Sequence, residues 1–225
     1  RDQNLWHISH EGGDIEQLEN EHNEEVLYMM VTPPERAKDT PTYVDITFEK
    51  GWPVKVDGES LSPATLLQKL NKIAGENGVG VADIVENRIV GMKSRGIYET
   101  PGGTLLMESL MELETIVFDK DTLNFKKLVS QKYAEIAYNG QWFTPIKYAL
   151  DAFVDSIDEV LTGTIKLKLY KGHIKIAGRF TENALYDEGI SSFGSSELYS
   201  HKDAEGFIKL FSLPNTIRAY KKLSK

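Results

Sequence analysis

The sequence predicts an α+β fold in which β-hairpins of antiparallel sheet pack with helices. Two segments alternate apolar and polar residues on either side of a two-residue turn, as hairpins do. Several others begin with a helix-capping residue and continue with an apolar stripe at helical spacing. The two kinds of segment do not alternate regularly, as a doubly wound parallel sheet would require, so we expect antiparallel pairing.

The two predicted hairpins cover residues 43–56 and 164–177. Lys50-Gly51 turns the chain in the first and Lys171-Gly172 in the second, and the alternation is strictest around the second turn. Pro53 lies in the returning strand of the first hairpin. Because proline has no amide proton to donate, we expect that strand to lie at a sheet edge.

The first predicted helix follows the first hairpin. Ser62 has the side chain of a helix N-cap, and Pro63 suits the first helical position. Apolar residues follow at helical spacing, and Gly75 and Gly78 are expected to end the helix.

Three more helices are predicted before the second hairpin. The first of these begins at Thr100-Pro101 or Thr104, the next near Asp121, and the last at Thr144-Pro145. The last helix is expected to bury one apolar stripe, formed by Ile146, Leu150, Phe153, Ile157 and Leu161.

The chain ends in two predicted helices, residues 204–212 and 215–225, which Pro214 separates. Ile217, Tyr220 and Leu223 form a stripe on the last helix. A stripe of this kind would expose apolar surface on a monomer, so we expect it to pack on a neighbouring subunit. The sequence thus predicts a domain of residues 1–203 and a helical oligomerisation segment of residues 204–225.

Composition excludes several classes of function. The chain carries 26 Lys and Arg against 34 Asp and Glu, a net charge of −8, which argues against non-specific nucleic-acid binding. It has no cysteine, which excludes disulfides, thiolate metal sites and a cysteine nucleophile and fits a reducing compartment, so we expect a cytoplasmic protein. No apolar run approaches the ~20 residues of a membrane-spanning helix, and we expect no membrane partner.

Residues 83–104 hold the densest set of polar side chains. Residues 84–90 predict a strand that delivers Glu86, and residues 93–95 are expected to form a connection that leads to a glycine-rich helix start. Polar groups at a strand end beside a helix N-terminus are a common ligand-site arrangement. The pattern favours a functional loop over ordinary surface charges, and both interpretations remain open.

Other candidate motifs favour structure over chemistry. Gly78-Val79-Gly80 precedes a strand and lacks the third glycine of a dinucleotide-binding fingerprint. His7 and His10 share a possible helix face, but Gly12 follows almost at once, and we expect no metal site there. A polar loop that contacts a ligand and a turn capped by Ser9 both fit this stretch.

Three stretches, in the same order, resemble the argininosuccinate synthase family. The most specific is SRGIYETPGGT at residues 94–104, preceded by IVENR at 84–88 and GMK at 91–93. DQNLW at 2–6 with SHEGG at 9–13 resembles the segment that follows the family's nucleotide-binding domain, and residues 204–213 resemble its C-terminal region. The resemblance covers the whole chain but includes no Ser-Gly-Gly-x-Asp-Thr-Ser nucleotide loop.

The resemblance implies a ligase that joins citrulline and aspartate with ATP and releases AMP and pyrophosphate through a citrullyl-adenylate. It implies that Ser9, Glu11, Glu86 and Tyr98 contact citrulline, that Asp2 lies near the nucleotide, and that no residue of this chain acts as a catalytic acid or base. ATP, with Mg²⁺, would be bound mainly by the family's N-terminal domain, and the C-terminal helix would build a homotetramer.

We therefore expect this chain to be part of a longer polypeptide and to be inactive alone. It begins at Arg1, without an initiator methionine. A different class of function also remains open, a pure tetramerisation module whose polar loop residues are structural. A stand-alone binder of citrulline or arginine is a third possibility, although half a pocket seldom binds small polar ligands well.

Overall fold

The computed structural model describes residues 1–191 and 200–223, and it confirms the α+β fold class. The chain divides into two compact units, Arg1–Asn183 and Ala184–Lys225. The predicted functional boundary after residue 203 lies within the second unit and stays a prediction. No helix among the residues described is long and apolar enough to cross a membrane.

The larger of two antiparallel sheets has the strand order β5-β4-β3-β8-β9. Its strands are β3 (Thr42–Glu49), β4 (Trp52–Val56), β5 (Glu59–Ser60), β8 (Gly163–Tyr170) and β9 (His173–Phe180). Both predicted hairpins are confirmed. Lys50 and Lys171 have positive φ, as do the glycines that follow them. Two successive residues with positive φ form the tight two-residue turn whose twist matches that of the flanking strands.

The core of the first unit lies where helices α2 (Pro63–Glu76) and α3 (Pro101–Val117) pack on this sheet. Alternate residues of β3 and β8 point into it, so one face of each strand is apolar and buried. Burial of each such side chain contributes about 1.5–3 kcal/mol. The fully buried residues of β3 and β8 are Val44, Ile46, Phe48, Ile165, Leu167 and Leu169.

Pro53 occupies a locally open strand edge, as predicted. It pairs with Phe48 on one side, while the short strand β5 reaches only Lys55 and Val56 on the other. No ladder hydrogen bond is therefore lost at the proline.

The start of α2 is confirmed, but the role assigned to Gly75 is wrong. The Ser62 hydroxyl accepts a hydrogen bond from the Thr65 amide. Gly75 lies inside the helix, at a position where a Cβ would clash with the Met30 carbonyl, so a glycine is required there. Gly78, with φ of +76°, follows the C-cap Asn77 and ends the helix in the left-handed conformation.

Helix α3 begins at Pro101, the first of the two predicted starts. Helix α4 (Lys120–Tyr138) begins one residue before the predicted start, capped by Asp119. Helix α5 (Pro145–Asp158) also begins as predicted, but its burial was predicted wrongly. It contains no buried residue, Ile146 is 45% exposed, and only Leu161, beyond the helix end, is buried.

The smaller sheet has the strand order β1-β2-β7-β6. Its strands are β1 (Asp2–Gln3), β2 (Ile8–His10), β6 (Val81–Asn87) and β7 (Lys93–Glu99). The strand predicted at residues 84–90 is observed three residues earlier, at 81–87. Residues 93–95, predicted to form a connection, belong to strand β7. The turn is set by the Arg88 amide, which donates to the Met92 carbonyl (2.8 Å).

The short helix α1 (Glu24–Leu27) also belongs to the first unit, and the second unit contains α6 (Glu188–Ser191), α7 (His201–Phe211) and α8 (Leu213–Tyr220). Helix α8 begins two residues before the predicted start because Pro214 lies in its first turn, where proline needs no hydrogen-bond partner. The helix ends at Tyr220, so the prediction that it continues through residues 221–223 is wrong, and the predicted residues 224–225 lie outside the described part.

Candidate functional site

One face of the smaller sheet brings together four of the five residues that the family resemblance singles out. Ser9 on β2 lies directly opposite both Tyr98 on β7 and Asp2 on β1. Ala82 on β6 also lies opposite Tyr98, and Glu86, four residues further along β6, points to the same side as Ala82. Because opposed residues in an antiparallel pair share a face, Asp2, Ser9, Tyr98 and Glu86 all lie on the same face.

Tyr98 and Glu86 form the central contact of this face. The Tyr98 hydroxyl donates a hydrogen bond of 2.9 Å to Oε1 of Glu86. The tyrosine ring lies across Gly96, where a Cβ would be only 2.9 Å from a ring carbon. Gly96 therefore leaves the space that lets the tyrosine lie along the sheet and reach the carboxylate.

Burial, and next the hydrogen bond to Glu86, raise the pKa of Tyr98 to about 12. The phenol consequently stays protonated at neutral pH and acts as a hydrogen-bond donor. An arrangement of one neutral donor and one carboxylate, without a nucleophile–base pair in this contact, is suited to holding a polar ligand.

A groove of about 1060 Å³ opens beside this contact. Ile84, Glu86 and Tyr98 line it from the hairpin, Thr104 and Glu108 line it from helix α3, and further residues contribute from elsewhere in the first unit. The ring of His7, also in the lining, lies 6.1 Å from that of Tyr98, centroid to centroid. The groove therefore places apolar, hydroxyl and carboxylate groups around one space.

Glu11 and Ser9 do not line the groove that Glu86 and Tyr98 share. Nη2 of Arg88 donates to Oε2 of Glu11 (2.7 Å), and Nε of Arg88 donates to the Ser94 hydroxyl (3.1 Å). Glu11 and Arg88 line a second cavity of about 470 Å³. Ser9 is buried in β2, whereas Asp2 is exposed on the edge strand β1. Glu86 and Tyr98 are thus the two predicted residues that share the larger groove.

The reverse face of the same sheet is structural. Arg95 donates to both carboxylate oxygens of Asp83 (2.9 and 2.6 Å), and its Nη1 donates to the carbonyls of Ile15, Gln17 and Asn20. The bond from Arg95 lowers the pKa of Asp83 below its usual range. Arg95 therefore anchors the segment after β2, and the prediction that it lies in a connection rather than a strand is wrong.

Sequence reasoning also missed Glu99, which is fully buried on this reverse face. It accepts a hydrogen bond of 2.7 Å from Nε2 of His10 and further bonds from three consecutive backbone amides. The available signal was strand alternation, because Arg95 and Glu99 alternate with Ser94, Gly96 and Tyr98 along β7. His10 is therefore a structural partner of Glu99. The described residues contain no group of three His, Cys, Asp or Glu side chains that could hold a metal ion.

Comparison with known proteins gives a family match and similar proteins of known name. Residues 1–218 match the family model described as the arginosuccinate synthase C-terminal domain. A protein of Clostridium acetobutylicum named argininosuccinate synthase is 62% identical over 224 residues, which are 100% of this chain and 56% of that protein. A protein of the same name from Clostridium botulinum strain Langeland is 65% identical over 220 residues, 98% of this chain and 55% of its own length.

This chain thus spans about half the length of these curated relatives. The matched region includes every residue of the Tyr98–Glu86 face. By the family model and by both relatives, the chain belongs to the argininosuccinate synthase family.

Proposed function

We propose that this chain supplies the citrulline-binding part of an argininosuccinate synthase, a ligase of arginine biosynthesis. The complete enzyme would convert ATP, citrulline and aspartate to argininosuccinate, AMP and pyrophosphate through a citrullyl-adenylate. Family membership supports the reaction class, since the relatives carry that name. The observation that carries the site is the hydrogen bond between Tyr98 and Glu86 within the groove.

Glu86 and Tyr98 are chemically suited to an amino acid substrate. The Glu86 carboxylate accepts charge-assisted hydrogen bonds from an α-ammonium group. The Tyr98 hydroxyl donates its one proton to that carboxylate and holds it in place, and its oxygen can accept a hydrogen bond from the ligand. The Ser9 hydroxyl would donate to a neutral or anionic end of the ligand. Their contribution is orientation, which lowers the entropic part of the barrier without moving a proton.

The groove is larger than one amino acid requires. Its volume of about 1060 Å³ is at the upper end of small-molecule sites, which span roughly 300–1,000 Å³. We expect the region that the relatives carry in addition to cover part of the groove, to bind ATP with Mg²⁺, and to supply most contacts to aspartate. Asp2, exposed on the same face, is the residue we place nearest the nucleotide. ATP would supply the adenylyl group that activates citrulline.

It follows that this chain alone would not carry out the condensation. We expect activity only when it is combined with the nucleotide-binding region, in a cytoplasmic homotetramer. The test compares argininosuccinate formation by the complete polypeptide, wild type and variants.

In the complete polypeptide, Glu86→Gln should raise the KM for citrulline about 10–100-fold, because a hydrogen bond to a charged group contributes about 1.5–3 kcal/mol. Tyr98→Phe should raise it about 2–10-fold. The matched controls change the same residue types elsewhere: Glu76→Gln at a partly exposed position on α2, and Tyr43→Phe at an exposed position on β3. A citrulline KM that is unchanged in both site variants would contradict the proposal.

A pure tetramerisation module is the second candidate function. It is favoured by the apolar side chains exposed on the two helices α7 and α8, namely Phe207, Ile208, Leu210, Phe211, Ile217 and Tyr220. The same enzyme assay separates the two candidates. If tetramers form and activity is independent of Glu86 and Tyr98, the module interpretation is correct.

A further inference from the structure

Glu99 is a buried carboxylate whose accepting capacity is fully used. Oε2 accepts the amides of Met30 (2.7 Å) and Val31 (2.8 Å), and the amide of Met29 lies within hydrogen-bond distance of both oxygens (2.9 and 3.1 Å). Oε1 also accepts from Nε2 of His10 at 2.7 Å. The side chains of His10 and Glu99 are 1% and 0% exposed, so water does not compete for these bonds.

Burial of a carboxylate costs several kcal/mol unless hydrogen bonds compensate for it. Here three successive amides converge on the carboxylate, an arrangement known to bind anions. Compensation therefore requires residues 29–31 to keep one backbone conformation, and it requires His10 to keep one ring orientation. Gly75 contributes by leaving room for the Met30 carbonyl against helix α2.

The position of this cluster connects it with the proposed site. Glu99 directly follows Tyr98 on β7, and His10 directly follows Ser9 on β2. Because Ser9 and Tyr98 are directly opposed, the bond between His10 and Glu99 joins the same two strands on the reverse face, immediately behind that pair. A shift between β2 and β7 would change the separation of Ser9 and Tyr98 and would break this bond.

We propose that Glu99 is a positioning residue for citrulline, acting through His10 to fix the separation of Ser9 and Tyr98. This inference rests on the proposed function. Its consequence is that the Glu99 carboxylate, which has no exposed surface, sets the affinity for one substrate. The nucleotide, which we expect to be bound mainly by another region, depends on it much less.

The test is Glu99→Gln in the complete polypeptide, since glutamine keeps the size of the side chain but turns an NH₂ group toward backbone amides. We expect the KM for citrulline to rise about tenfold and the KM for ATP to change less than twofold. In a Ser9→Ala/Tyr98→Phe background, the same substitution should raise the citrulline KM less than twofold, because its effect passes through those two side chains.

Glu76→Gln is the matched control, and circular dichroism confirms that each variant is folded at the assay temperature. If Glu99→Gln does not fold, His10→Gln takes its place, because it keeps a side-chain donor. The inference is overturned if citrulline and ATP KM rise together, if neither rises, or if the increase is equal in both backgrounds. If neither Glu86→Gln nor Tyr98→Phe changes the citrulline KM, the proposed function fails and this inference with it; if only Glu99→Gln has no effect, this inference is overturned and the proposed function stands.

Discussion

Asp158 shows at the scale of one residue how burial changes acidity. Burial raises the pKa of its carboxyl to about 6, and Glu114 and Asp155 add to the shift while Lys126 opposes it. Its Oδ1 is buried without a hydrogen-bond partner, and the carboxylate packs against Gly51, which has no Cβ to displace it. A half-buried carboxylate with one oxygen left without a partner lowers the stability of the fold at neutral pH when it is charged.

The pH dependence follows from the direction of that shift. Because the folded pKa lies above the unfolded value of 3.8, the neutral form is favoured in the fold. This contribution to stability is present below about pH 4 and lost as pH rises through about 6. Asp158→Asn should therefore raise the free energy of unfolding at pH 7.5 by roughly 1–2 kcal/mol, since solvent screens part of the effect at this half-buried group, and by much less at pH 4.

Urea unfolding at both pH values measures this difference. Asp14→Asn, which replaces an exposed carboxylate that does not contribute to the shift at Asp158, is the control and should change little at either pH. If Asp158→Asn raised the free energy of unfolding equally at pH 4 and pH 7.5, the titration of Asp158 would not contribute to stability in this range.

At the scale of single elements, local chemistry made most helix starts and turns predictable. Ser62-Pro63, Pro101 and Lys171-Gly172 each act through their own backbone or side chain, and each marks the element it was expected to mark. Gly75 could not be interpreted in this way, because its role depends on Met30, which lies far away in sequence. The prediction that α5 buries its apolar stripe was wrong for the same reason, since periodicity identifies an apolar face but not what covers it.

The site shows the same limit. The polar residues around Glu86 and Tyr98 were visible in the sequence, and the family resemblance assigned them a ligand. Pattern alone did not reveal that residues 93–95 belong to a strand. Consequently it did not separate Tyr98, which faces the groove, from Arg95 and Glu99, which face the reverse side. Strand register, a long-range property, makes that separation.

Helices α7 and α8 carry a prediction at this scale. They expose Phe207, Phe211 and Ile217 within a short amphipathic segment, so we expect them to associate with a neighbouring subunit. Truncation after Pro214 should shift the complete protein from tetramers to smaller assemblies in sedimentation velocity. Lys202→Ala, a change at an exposed polar position, should leave the assembly as it is. An unchanged sedimentation coefficient after truncation would contradict the role of α8.

At the scale of the whole molecule, the smaller sheet combines two tasks on opposite faces. One face carries Ser9 and presents Glu86 and Tyr98 to a groove, while the other anchors the segment after β2 through Arg95 and Glu99. The larger sheet and its two helices provide the apolar core. The proposed division of labour places substrate orientation in this chain and activation by ATP in the region that the relatives carry in addition.

The most direct test of this account is a crystal structure of the complete polypeptide with bound citrulline. We predict that the α-amino nitrogen of citrulline lies about 3 Å from a carboxylate oxygen of Glu86, with the Tyr98 hydroxyl in contact with the same ligand or carboxylate. Citrulline bound elsewhere, with no polar atom near either side chain, would contradict it.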